Sequence, residues 1–144
     1  MNDYNFIGKS QTDTLRELIT VHRKFHEELD VITASNNDPN FIEPLIDLRN
    51  FNISCTNHYS AMLIKSKYDL MPQCDISKMR SLAITEEETM WKIHFELSLL
   101  VQVYRKAIKN ADVSDFNKKI IAMNLDEIIE RKDDILHPIR KSVA

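Results

Sequence analysis

"LITVHRKFHEELDVI", residues 18–32, repeats apolar side chains at helical spacing and interrupts the repeat once. With Leu15 just ahead of it, Leu18, Phe25, Leu29 and Ile32 follow one another at three-, four- or seven-residue steps, the period of a single buried helix face. Where the next apolar residue belongs, the chain has His22. The stripe predicts an amphipathic helix, and the imidazole inside it poses the functional question.

Outward from this stretch the chain keeps the same grammar. Glycine occurs once, at Gly8, and proline at Pro39, Pro44, Pro72 and Pro138, too few turn residues for a β-rich domain of 144 residues. Four helices are predicted, at about 11–35, 40–70, 84–110 and 114–141. The first opens near "TDTLRE" with a Thr or Asp cap and ends in the polar breaker "SNNDP". Pro44 belongs to the opening of the second, where proline is tolerated. "ITEEE" starts the third, with Thr85 as cap and Glu88 three residues on, and Ser114 caps the fourth. The second helix carries Leu48, Phe51, Cys55, His58 and Met62 as its stripe; the third carries Met90, His94, Leu97, Val101, Tyr104 and Ile108. Four segments of similar length with short links predict an all-α fold: an antiparallel up-down four-helix bundle, one domain over 1–144.

Bulk properties exclude several classes. With 19 basic against 22 acidic residues and no like-charged run beyond "EEE" at 86–88, no nucleic-acid footprint is present. No apolar run approaches the ~18 residues of a membrane span, and "MNDYNFIGKSQ" has no apolar signal region. Cys55 and Cys74 form no CxxC pair, so reduced thiols and a cytoplasmic location are expected. GxSxG and P-loop motifs are absent, and the chain does not read as an enzyme.

The candidate site comes from residues that break the stripes. His22, His58 and His94 occupy stripe positions on three helices, each near the middle of its helix. On the fourth, Asp133 interrupts Ala122, Leu125, Ile129 and Leu136. A carboxylate on an apolar face is costly unless paired or metal-bound. Three imidazoles and a carboxylate suit one divalent metal, iron or zinc. The same four residues also fit a buried polar network that fixes the register of the bundle. His26, one turn after His22, lies at the stripe's edge.

The segments "LITVHRKFHEEL", "NHYSAML", "MWKIHFEL" and "IIERKDDILHPI" resemble, in order, the four ligand-bearing helices of the hemerythrin family. That family is an antiparallel bundle that binds oxygen at two non-haem irons. Its pattern is a His on helix 1, His-x3-Glu on helix 2, His-x3-His on helix 3 and His-x4-Asp on helix 4. The resemblance assigns ligand roles to His22, His58, His94 and Asp133, whereas Met62, Met90 and Ile128 stand where ligands belong. Methionine cannot supply the anionic bridge between hard irons. What the resemblance implies is therefore a hemerythrin-like domain with a degenerate site, holding at most a single divalent metal and serving as a sensor or regulatory module. A weaker resemblance, "NHY" at 57–59 and "DD" at 133–134, is to the Rsd/AlgQ regulators of sigma factor. It implies the alternative, a metal-free interaction protein with a protein partner.

Overall fold

The computed structural model describes residues 10–65 and 85–143, and these form four α-helices with no strand among the described residues. They are α1 (Gln11–Ala34), α2 (Pro39–Lys65), α3 (Glu86–Lys109) and α4 (Asp115–Val143). The predicted end of helix 2, near residue 70, and Cys74 fall outside the described residues.

Local chemistry sets the helix starts. Ser10, rather than a residue of "TDTLRE", caps α1: its hydroxyl accepts from the Asp13 backbone N–H at 3.2 Å. Asp38 opens α2, its carboxylate accepting from the Asn40 N–H at 3.0 Å and its carbonyl from Ile42 at 2.9 Å. Pro39 thus takes the first helical position, where its missing N–H costs nothing. Pro44 lies inside α2, one turn further on than an opening proline. Thr85 caps α3 by accepting from the Glu88 N–H at 3.1 Å, and Ser114 accepts from the Asn117 N–H at 3.2 Å.

α1 packs along α2 and α3 along α4, with smaller contacts between α1 and α3 and between α2 and α4. The core between them is built from Leu15, Leu18, Phe25 and Leu29 of α1, Leu45, Leu48, Tyr59 and Leu63 of α2, Ile93, Leu97 and Tyr104 of α3, and Ile121 and Ile128 of α4. Polar contacts register the ends. Asn110 donates to Thr14 and the Ser114 N–H to Gln11, each at 2.8 Å, while Lys92 meets Glu28 at 2.6 Å and Arg49 meets Asp30 at 3.1 Å.

The α1 stripe buries as read from Leu15 to Leu29, His22 included, and Ile32 at its end is half-buried. The other stripes are rotated by one residue at several positions. On α2 the inward positions are Asn52, Tyr59 and Leu63 instead of Phe51, His58 and Met62; Phe51 and Met62 are half-buried and His58 is exposed. On α3, Ile93 and Leu100 are buried, and His94 and Ile108 are half-buried. On α4, Ile121, Leu125, Ile128 and Ile135 face in, which leaves Asp133 exposed. No helix of the described residues is long and apolar enough to cross a membrane.

Candidate functional site

His22 stands fully buried at the middle of α1, and its side chain is the centre of a hydrogen-bonded chain that visits all four helices. Its Nδ1 lies 2.7 Å from Asn52 Oδ1 on α2, and its Nε2 lies 2.5 Å from the Tyr104 hydroxyl on α3. That hydroxyl is 2.8 Å from the hydroxyl of Tyr59 on α2, which accepts from the Asn124 amide on α4 at 2.8 Å. At the other end, the Asn52 amide donates to the Leu48 carbonyl at 2.9 Å.

Each proton in this chain can be placed by its neighbours. The Leu48 carbonyl only accepts, so Asn52 turns its NH2 there and its Oδ1 to His22. Asn52 Oδ1 therefore accepts from Nδ1–H, and Nε2 of the neutral ring accepts from the Tyr104 O–H. With that proton committed, Tyr104 accepts from the Tyr59 O–H, and Tyr59 accepts from Asn124. Donation runs one way: Asn124, Tyr59, Tyr104, His22, Asn52, Leu48 carbonyl. Every group in the sequence has its partner, the condition under which a buried polar network is stabilising rather than costly.

Burial fixes the protonation states. It lowers the His22 pKa to about 4, an effect that the Asn52 bond opposes and the nearby His26 reinforces. Burial also raises the phenols: Tyr59 lies above its ordinary value, and Tyr104 well above it, with Tyr59 and Cys55 adding to the shift. The Cys55 thiol, buried beside Tyr104, is pushed up to about 12. At neutral pH the whole assembly is uncharged, and Cys55 has no thiolate with which to act as a nucleophile. Phe51 covers one side of it, edge-on to His22 at 6.2 Å between ring centres. The Arg131 guanidinium lies 4.7 Å over the Phe51 ring and bonds Asp47 at 2.8 Å and Glu127 at 2.9 Å.

The four residues expected to form one metal-binding layer are therefore dispersed. His22 is in the core; His58 is exposed, its ring stacked on that of Tyr59; His94 is half-buried against Trp91, 5.9 Å between ring centres; Asp133 is exposed. Among the described residues, no group of three or more His, Cys, Asp or Glu side chains is placed to hold a metal ion. His22 itself does not fit the role, because one ring nitrogen carries a proton to Asn52 and the lone pair of the other accepts from Tyr104. The network members Asn52, Tyr59 and Asn124 escaped the stripe reading. The signal for two of them was the longer stripe Phe41, Leu45, Leu48, Asn52, Cys55, Tyr59, Leu63, which spans more turns than its rival.

Outside the core, α3 exposes Trp91, Phe95 and Leu99, one turn apart, at 48%, 60% and 41% of their full surface, so this is a continuous apolar ridge rather than a single exposed residue. Comparison with known proteins returns no matching family model, no matching curated protein and no matching solved structure. The likenesses to hemerythrins and to Rsd/AlgQ regulators rest on the short motifs quoted above and on a four-helix architecture compatible with them.

Proposed function

We propose that this chain is a metal-independent helical-bundle interaction module, non-catalytic and regulatory in role, which binds protein through the outer face of α3. The observation that carries this reading is the ridge Trp91, Phe95, Leu99, apolar and turned to solvent while the polar core satisfies itself. The helix order departs from simple up-down-up-down. The start of α1 meets the end of α3, through Thr14 and Asn110, and its far end meets the start of α3, through Glu28 and Lys92, so α1 and α3 run in opposite directions where that order would make them parallel.

The rival reading, a degenerate hemerythrin-like site with one iron or zinc, requires His58, His94 and Asp133 to turn toward His22 and Tyr104 to release it. A metal bound only by the folded state raises the melting temperature by mass action. Melts of untagged protein with chelator, with zinc and with anaerobic iron(II) decide between the two. We expect coincident curves. A rise with metal that disappears in His22→Leu would overturn this proposal in favour of a metal site.

A further inference from the structure

The outward face of α3 carries a pattern in charge as well as in hydrophobicity. Along it run Glu88, Trp91, Phe95, Leu99, Gln102 and Lys106, at steps of three and four, the spacing of a helix-pairing seam. Trp91, Phe95 and Leu99 form its centre, about 12 Å long at 1.5 Å per residue. Before them stand Glu86, Glu87 and Glu88, and after them Arg105, Lys106 and Lys109, all six exposed. The seam is therefore acidic at one end, apolar in the middle and basic at the other.

Such a seam is complementary to itself when reversed. We propose that it is a homodimer interface, in which α3 of one copy lies antiparallel on α3 of a second about a two-fold axis passing near residue 97. This rests on the reading of the ridge as a protein-binding face and names the occupant. Under the two-fold, Phe95 of each copy meets Leu99 of the other, and Trp91 lies toward Gln102 of the other copy. Glu87 and Glu88 of each copy face Arg105 and Lys106 of the other. The two helix dipoles also oppose favourably. Parallel pairing would set acid on acid and base on base. A two-fold contact uses one patch twice, so a single seam with opposite charges at its ends suffices.

Sedimentation of the full-length protein under reducing conditions tests this. The wild type should show a concentration-dependent dimer that weakens as salt screens the end pairs. Phe95→Lys should weaken the dimer on the order of tenfold or more, as removal of a central aromatic anchor does. Its far-ultraviolet circular dichroism should be unchanged, because Phe95 faces outward. Glu87→Lys with Glu88→Lys should weaken association alone, as should Arg105→Glu with Lys106→Glu. Mixing the two double variants should restore it. A dimer strengthened by salt, or one indifferent to Phe95→Lys, would overturn the proposal. So would a wild type that stays monomeric at high concentration; if that monomer bound a different protein through Phe95, the interaction reading would stand and self-pairing would not.

Discussion

Replacing His22 with leucine removes an imidazole that two buried groups depend on. Asn52 Oδ1 loses its donor and the Tyr104 hydroxyl its acceptor. Each stranded group costs roughly 1–3 kcal/mol, against a smaller gain from the added apolar surface. We therefore expect His22→Leu to be destabilised in urea by roughly 2–5 kcal/mol at pH 7, combining those costs. A neutral result would mean that the two groups find other partners. The same residue sets a pH dependence. Its folded pKa of about 4 lies below the ordinary value of 6.5, so the unfolded chain takes up a proton that the folded one refuses. The stability from a neutral His22 is fully present above about 6.5 and is lost as pH falls toward about 4. At about 1.4 kcal/mol per unit, that window amounts to about 3 kcal/mol. Urea titrations of wild type and His22→Leu at pH 7 and pH 4.5 should show the gap between them closing at the lower pH, since the carboxylates titrate in both.

At the level of the helix, caps and core faces contribute by different mechanisms, and their magnitudes should separate. Leu97 is fully buried on α3, so Leu97→Ala should cost roughly 2–5 kcal/mol through lost contacts and a residual cavity. Thr85→Ala removes one cap bond at the start of the same helix and should cost about 1 kcal/mol. Chemical denaturation of the two variants checks the order, and equal losses would mean that the start of α3 matters more than its middle. Helix number and type were legible in the sequence because periodicity survives any local error in facing. Facing was not equally legible. On α2 two stripes share Leu48 and Cys55 and differ by one residue at 51/52, 58/59 and 62/63. Over these turns each row carries four apolar residues and one polar one, His58 in the first and Asn52 in the second, so a count of apolar residues does not separate them. One misread facing carried His58 inward on paper, and a similar rotation did the same for Asp133 on α4. His22 was placed correctly because α1 has no competing stripe of similar length.

For the molecule as a whole, association and stability should be linked. If α3 pairs with α3 of a second copy, the folded state is stabilised by dimerisation, and the melting temperature rises with protein concentration. Scans across a hundredfold range should show this for the wild type. Phe95→Lys should show a smaller dependence over the same range. A wild-type midpoint independent of concentration would contradict the link.

The direction of hydrogen-bond donation through the core also bears on how such a chain can vary over time. Asn124, Tyr59, Tyr104, His22 and Asn52 each donate onward and, after the first, accept from the member before, so a change at any one strands a neighbour. The five positions lie far apart in the sequence but form a single unit of inheritance. Related chains should keep all five, or have exchanged the set together for apolar residues of matching shape, and a lineage that had lost only one should carry a compensating change at the position next to it in the chain of donors.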